Sequence, residues 1–253
     1  MADTKYPYSI LIFLFILFSG CGKEEEIPLN LEGEYRTGNT LLAANPIIMY
    51  TSSGRVDNQA VIDQFLKRVY PSNPSYFSRS NVTLPPDGAI TLAIRANNRA
   101  VLMFNYQNQY DPIETEITSR EVNYFVLTNM DSTGFGPIIQ VNSYPNACEQ
   151  FAQSVNLVHP GRRCRPVSVV AGTFDKVCKE RPVRVIRIRD RKLFIPQFSW
   201  LFTNTYISPS GGKSLCGQAQ SNQWNLLDPA APGKLRSGDT LVVQERQVEL
   251  LKQ

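Results

Sequence analysis

The sequence predicts a mainly β domain, an antiparallel sandwich or barrel with one short helix. Short runs rich in β-branched and aromatic residues recur along the chain, and clusters of Gly, Pro, Asn and Ser separate them. Only one segment shows clear helical periodicity, and no internal repeat of fixed period is visible. The composition, 42% hydrophobic and 19% charged over 253 residues, is that of a globular protein. We therefore expect about ten strands around a sizeable core.

The strand predictions rest on alternating apolar residues bounded by turn signals. Asn97 and Asn98 tolerate a positive φ, so they predict a hairpin between the third and fourth strands. The predicted strands are 33–37, 46–51, 89–95, 100–106, 121–128, 138–142, 166–170, 183–189, 198–207 and 240–251.

One helix is predicted over about residues 59–70. Asn58 can cap its first turn, and Pro71 would end it. The apolar residues that recur at helical spacing are Val61, Phe65, Leu66 and Val69.

The segment 183–189 carries a basic pattern that conflicts with a regular strand. Valines and arginines share one parity there, so we predict a β-bulge near 185–186 that turns Val183, Val185 and Ile188 inward. The outward residues would then form a basic face, able to meet an anionic envelope ligand or a protein partner, or simply be solvated. The residues of this face are Arg184, Arg187 and Arg189.

An aromatic ladder lies in the segment 198–207. Its four aromatic residues fall at period two, so all point to one face of a strand. Such a ladder can stack sugar rings or line an apolar ligand cavity, and the alternative is ordinary core packing. The residues of the aromatic ladder are Phe198, Trp200, Phe202 and Tyr206.

The N-terminus predicts an exported protein. The apolar run 10–18 has signal-peptide length, whereas a membrane-spanning helix needs about 20 residues. Phe18-Ser19-Gly20-Cys21 resembles the lipobox of bacterial lipoproteins, which implies removal of residues 1–20 and lipidation of Cys21. Residues 22–26 resemble the charged export signal of Bacteroidota surface lipoproteins. The resemblance implies an outer-membrane protein anchored by lipid and exposed at the cell surface, with a periplasm-facing protein as the alternative.

Export also changes the reading of the remaining cysteines, because disulfides persist in an oxidising compartment. Cys148, Cys164, Cys178 and Cys216 allow three pairings, and we expect the local ones, Cys148–Cys164 and Cys178–Cys216. No metal site or other cofactor is predicted, because there is no CxxC pair and His159 is the only histidine.

Weaker resemblances concern modification and architecture. Asp131-Ser132-Thr133 and Asp239-Thr240-Leu241 resemble the O-glycosylation motif of exported Bacteroidota proteins, which implies Ser132 and Thr240 as acceptors. The stretch 31–35 is similar to the Gly-x-Trp opening of lipocalin-like barrels, with Tyr35 at the Trp position.

The organisation expected is a signal peptide (1–20), a lipidated tether (21–30) and a β domain (31–253). Acidic residues predominate in 22–147 and basic ones in 148–253, which leaves open subdomains 31–135 and 136–253.

The function expected is non-catalytic binding of a glycan or another envelope or extracellular ligand. The alternative is a structural or partner-docking subunit of an envelope complex. A hydrolase is the weakest candidate: Glu114 and Glu116 share a strand face, but the sequence has no GxSxG, HExxH or Cys–His arrangement. The partners expected are the membrane, through the lipid, and such a ligand or envelope protein, with no nucleic acid.

Overall fold

The structure is a computed structural model that describes residues 30–38, 40–41, 46–69, 76–78, 80, 82–83, 89–106, 109–131, 133–140, 147–169, 173–207 and 213–253. The predicted signal peptide, Cys21, the charged stretch after it and Ser132 lie outside these residues. Glu32–Gln253 form one compact unit, and of the other unit, Met1–Leu31, the structure describes Asn30 and Leu31.

The described chain is mainly strand. The first strands are β1 Gly33–Thr37, β2 Thr40–Leu41, β3 Ile48–Thr51, β4 Gly54–Val56, β5 Val82–Thr83, β6 Ile90–Ile94, β7 Arg99–Tyr106 and β8 Gln109–Arg120. The later strands are β9 Tyr124–Asn129, β10 Thr133–Gln140, β11 Arg162–Val169, β12 Thr173–Glu180, β13 Val183–Arg189, β14 Lys192–Ile207, β15 Lys213–Gln223 and β16 Asp239–Lys252. Helix α1 is Gln59–Val69, α2 is Ala147–Ala152, and a 3₁₀ turn covers Pro232–Lys234.

Eight of these strands close into an antiparallel barrel. In ring order they are β1, β6, β7, β8, β9, β13, β14 and β16, and β16 pairs back to β1. Ring order equals chain order, so this is an up-and-down barrel with the remaining strands inserted between its members. The prediction of a mainly β barrel or sandwich is confirmed.

The two ends of the barrel differ because the strands alternate in direction. Three ring connections at one end, the hairpin end, are short: 95–98, 121–123 and 190–191. All three long connections leave from the opposite end, the insertion end, and they hold every helix and strand outside the ring. These long connections are 38–89, 130–182 and 208–238.

The hairpin turns have the geometry that two-residue loops require. Asn97 and Asn98 have φ values of 61° and 60°, and Asp190 and Arg191 have 51° and 61°. Positive φ at both central residues is the type I′ pattern, which matches the twist of paired strands. The hairpin predicted at Asn97-Asn98 is confirmed.

Apolar side chains fill the barrel interior. Leu92 lies directly opposite Leu102 on neighbouring strands, and Phe125 lies opposite Ile186. All four are 0% exposed, as is Ile195 on β14. A closed ring of eight strands is just wide enough for side chains to fill, so this interior is a packed core.

Beyond the barrel, β14 and β16 continue side by side, flanked by β15 on one edge and β3–β4 on the other. One face of this extension packs Leu201 and Val242 against α1 through Ile62, Phe65 and Leu66. The predicted helix is confirmed.

The cap of α1 is also as predicted, since Asn58 Oδ1 accepts from Ala60 N at 3.0 Å and from Val61 N at 3.3 Å. However, Val61 is 44% exposed, so its predicted place on the core face is wrong. The buried side of α1 begins one residue later, at Ile62.

The opposite face of the extension is covered by α2. Cys148 and Phe151 of this helix pack with Val155 against Trp200 and Phe202. The Phe151 and Phe202 rings are stacked with centroids 4.1 Å apart. The described residues hold no helix that is long and apolar enough to span a bilayer.

Candidate functional site

The predicted aromatic ladder is part of the core. Phe198 is 0% exposed, and Trp200 and Phe202 are each 1% exposed beneath α2. The Trp200 Nε1–H donates to Gln223 Oε1 at 3.4 Å, so its polar atom is also used internally. The prediction that these rings form a ligand platform is therefore wrong, because α2 covers the face they share. Tyr206 lies on the same strand, and its side chain is outside what the structure describes.

The predicted basic face does not form either. The pairing of β13 with β9 is continuous, with Arg184 opposite Leu127 and Ile186 opposite Phe125. Directly opposite residues of an antiparallel pair share a face, so Arg184 points into the barrel beside Ile186. The predicted bulge is wrong, and so is the inward place given to Val185, which lies on the outer side.

The other two arginines of that prediction lie on the outer side of β13 and are engaged separately. Arg187 Nη2 lies 2.6 Å from Glu245 Oε2, with both side chains about one-fifth exposed (20% and 18%). Arg189 lies 3.4 Å from the neighbouring Asp190, and both are well exposed. The three arginines therefore occupy three different environments.

The disulfide pairing differs from the prediction. Cys148 is bonded to Cys216, with Cα atoms 6.1 Å apart, so the local pairs Cys148–Cys164 and Cys178–Cys216 are wrong. The reason is that α2 packs on the extension, which brings Cys148 to β15 across 68 residues of chain. Cys164 and Cys178 lie directly opposite each other on β11 and β12.

Thr240, one of the two predicted glycosylation acceptors, lies inside β16. It pairs with Thr203 on one side and Thr51 on the other, and it is half-buried. The carboxylate of Asp239 before it is engaged, since Arg236 N–H donates to Oδ2 at 2.7 Å.

A different group of residues gathers at the insertion end of the barrel. The segment 222–224 lies where β13 and β14 separate, and Val185 N–H donates to Trp224 O at 2.8 Å. Asn222 N–H donates to Ser199 Oγ at 3.1 Å, and a positive φ of 53° turns the chain there. This segment therefore occupies the gap that two parting strands would leave in the barrel wall.

Arg246 is the deepest member of the group. It lies opposite Gln197 on the face that continues from the barrel core, and it is 4% exposed. Its Nη2 donates to Asn222 Oδ1 at 2.6 Å, while its Nε is buried without a hydrogen-bond partner. Burial lowers the pKa of the Arg246 guanidinium from its ordinary value.

Arg184 is the outer member of the group and is half-buried. Its Nη1 donates to Asn129 Oδ1 at 2.5 Å, and its guanidinium carbon lies 5.9 Å from the centroid of Trp224. The Trp224 ring in turn lies 5.7 Å from that of Phe104, an inward residue of β7. Burial lowers the pKa of this guanidinium too.

We call these residues the barrel-mouth site. Within the described part of the chain, neither arginine forms an ion pair with a carboxylate, and their hydrogen-bond partners are neutral amide oxygens. Two guanidiniums at one rim of an apolar barrel make a local concentration of positive charge and directional donors. The residues of the barrel-mouth site are Asn129, Arg184, Asn222, Trp224 and Arg246.

A separate concave surface lies on the outer wall of the barrel. It is a shallow groove of about 560 Å³ whose lining includes Arg95, Arg99, Glu114 and Asp131. Its charges are mixed, two basic and two acidic. Glu116, the other carboxylate considered for hydrolysis, lies 3.3 Å from Arg181 Nη2 and so has a structural partner. Among the described residues, no three His, Cys, Asp or Glu side chains gather in a way that could hold a metal.

The barrel-mouth site was missed from the sequence, although β16 carries a readable signal. Val242, Gln244, Arg246, Val248 and Leu250 share one parity, so an arginine lies among residues that a strand must bury. Trp224 and Asn222 gave no such signal, because their place depends on how β13 and β14 separate.

The fold and site together define an eight-stranded up-and-down barrel with one buried and one half-buried arginine, Arg246 and Arg184, at its insertion end. Comparison with protein-family models, curated proteins and solved structures found no match for this chain.

Proposed function

We propose that this protein is a lipid-anchored, non-catalytic binding protein of the outer membrane, displayed at the cell surface. The proposed location rests on the sequence Phe18-Ser19-Gly20-Cys21 and on the charged residues after it. A lipid anchor of this kind holds a protein stably because more than one acyl chain enters the bilayer.

The observation that supports binding is the barrel-mouth site. Buried polar groups in proteins are normally satisfied, so a buried guanidinium nitrogen without a partner needs an explanation. A ligand group is such an explanation, and the site lies at the end of the barrel where the three insertions leave the ring. The ligand class proposed is an envelope or extracellular glycan, for which half-buried Trp224 supplies a ring that can stack on a sugar.

The proposed lipid anchor is tested by Cys21→Ala in the full chain. We expect the variant to leave the membrane fraction, whereas Cys164→Ala, a matched control in the folded domain, should stay membrane-bound. Retention of unprocessed Cys21→Ala in membranes would show that residues 10–18 act as an anchor instead.

Display is tested by adding protease to intact cells. The wild-type protein should be cleaved, and replacing Glu24, Glu25 and Glu26 with Ala should protect it while leaving it membrane-bound. Protection of the wild-type protein would favour the periplasm-facing alternative.

Binding is tested by affinity capture from intact cells, with bound glycans released and identified. We expect glycans in the wild-type capture and fewer with Trp224→Ala. Capture of none by the folded protein would contradict the proposed ligand class.

A further inference from the structure

We infer that the barrel-mouth site binds an oxyanion, a carboxylate or phosphate group carried by the ligand. The inference rests on the proposed binding function and specifies its chemistry: the glycan would be an acidic one.

The first step is charge. A guanidinium stays protonated in proteins, so Arg246 carries its charge into a site that is 4% exposed. Buried charges are normally paired with an opposite charge, since a lone one is strongly unfavourable. The described residues offer Arg246 only the neutral oxygen of Asn222. An anion would supply the missing countercharge.

The second step is hydrogen bonding. The next inward residue of β16, Gln244, is also buried, yet its amide is satisfied by Ser78, whose N–H donates to Gln244 Oε1 at 2.8 Å. The protein thus satisfies a buried amide on this face but leaves Arg246 Nε without an acceptor. Nε and an adjacent Nη form the planar fork that a carboxylate or phosphate accepts through two oxygens.

The third step is access. Arg184, Asn129 and Trp224 are half-buried, whereas Arg246 lies deeper. Arg184 uses one Nη on Asn129, and the described residues provide no acceptor for its remaining N–H groups. A ligand would meet Arg184 and Trp224 first and then approach Arg246.

The fourth step is size. Below the mouth the barrel is filled, with Leu102, Phe125 and Ile186 each 0% exposed. A long acyl chain would have to displace this core. The mouth therefore suits an anionic group at the end of a ligand whose remainder stays outside, as in an acidic saccharide.

The test uses the full chain in detergent and isothermal titration calorimetry. The probes are a galacturonate oligosaccharide, a neutral maltooligosaccharide of equal length, inorganic phosphate, and mixed micelles of the same detergent with phosphatidylcholine, with or without phosphatidylglycerol. We expect the galacturonate to bind about tenfold or more tightly than the neutral sugar, as charged hydrogen bonds allow. Phosphate should compete with the galacturonate for the site. Tighter binding to the phosphatidylglycerol micelles than to the galacturonate would identify a lipid headgroup as the source of the anion.

The variants are Arg184→Gln and Arg246→Gln, with exposed Arg189→Gln as the matched control. Arg184→Gln should weaken galacturonate binding by about tenfold, and Arg189→Gln should leave it unchanged. Arg246 is buried, so binding by Arg246→Gln is interpreted only if circular dichroism shows that this variant is folded. If it is not folded, the test of the anion site rests on Arg184→Gln.

Equal affinity for charged and neutral sugars, unchanged binding by Arg184→Gln, or no response to any anion would overturn the inference. These outcomes are distinguishable from failure of the proposed function. If the protein binds neutral glycans with no dependence on charge, the oxyanion inference is wrong and the proposed binding function still stands. If the protein binds anions but captures no glycan from cells, the proposed function is wrong and the anion site still stands.

Discussion

The two ends of the barrel are built from the same eight strands by different means. At the hairpin end, Asn97-Asn98 and Asp190-Arg191 join neighbouring strands with two residues at positive φ. At the insertion end, long segments leave and return, and a disulfide and two helices hold the elements they carry. Stability at the first end comes from local backbone geometry, and at the second from long-range packing and a cross-link.

The difference extends into the barrel along single strands. On β13, inward Ile186 is followed towards the insertion end by Arg184, and on β16 inward Val248 is followed by Arg246. Apolar burial favours folding, whereas burial of an arginine opposes it. The inward arginines of the insertion end therefore do not add to stability as the apolar residues beside them do.

The largest effect should come from the disulfide of the insertion end. Replacing Cys148 and Cys216 with Ser is expected to lower the free energy of unfolding by about 4 kcal/mol, because the bond closes a long loop. Urea denaturation of the oxidised proteins measures this. Adding a reductant should destabilise the wild-type protein and change the double variant less, which separates loss of this bond from other effects of the substitutions. A double variant as stable as the wild type would show that packing of α2 alone holds this end.

A core substitution should have the next largest effect. Leu102→Ala, in the fully buried interior, is expected to lower the free energy of unfolding by about 3 kcal/mol through lost burial and a residual cavity. Arg184→Met on the inward face of β13 should change it by less than about 1 kcal/mol, because an apolar residue relieves the buried charge. Chemical denaturation compares the two, and a larger loss from Arg184→Met would contradict the contrast drawn between the ends.

At the hairpin end the effect should be smaller. Asn97→Ala is expected to lower the free energy of unfolding by about 1 kcal/mol, because Ala lacks the short polar side chain whose local hydrogen bonding lets Asn adopt φ 61°. Asn97→Gly adopts this φ freely and should leave stability close to that of the wild type. Thermal unfolding of both variants gives the measurement, and equal melting temperatures would mean that the turn has relaxed.

The smallest effect expected is on stability at acid pH, through Asp228. Hydrogen bonding from Ala230 N–H, at 2.9 Å, lowers the pKa of Asp228 below its usual range, and Lys234 at 3.1 Å acts in the same direction. A lowered pKa in the folded state stabilises the protein above the unfolded pKa, about 3.9, and this stability is lost as pH falls through the folded value.

Asp228→Asn should therefore flatten the acid branch of the melting-temperature profile by an amount worth less than about 1 kcal/mol. If the melting temperature of the variant falls with decreasing pH as steeply as that of the wild type, Asp228 does not contribute to the acid sensitivity.

Several elements could be read from the sequence because their signals are local. β1 and β13 have the predicted bounds, and α1 ends within one residue of its prediction. β15 was missed as a strand, and β8 was expected only in so far as Glu114 and Glu116 were placed on one strand face. β8 is rich in acidic and polar residues, and β15 in Gln and Ser with one Gly, so neither shows the apolar alternation of a half-buried strand.

The site was harder to predict because its signals are tertiary. The bulge in β13 was inferred on the assumption that arginines face solvent, but Arg184 points into the barrel and is half-buried. The cysteine pairing assumed that neighbours in sequence meet, but Cys148 reaches β15 only because α2 packs on the extension. Both predictions were wrong because they applied a rule about residues close in sequence to an arrangement that depends on residues far apart in sequence.

The closure of the ring by β1 and β16 has a consequence for folding kinetics. The strands that meet there, with Tyr35 opposite Lys252, are the first and the last of the barrel. Closure therefore waits until nearly the whole unit has been synthesised, and contacts so distant in sequence slow folding. A circular permutant that joins the start of β1 to the end of β16 and opens the chain at 121–123 would convert this closure into a local hairpin.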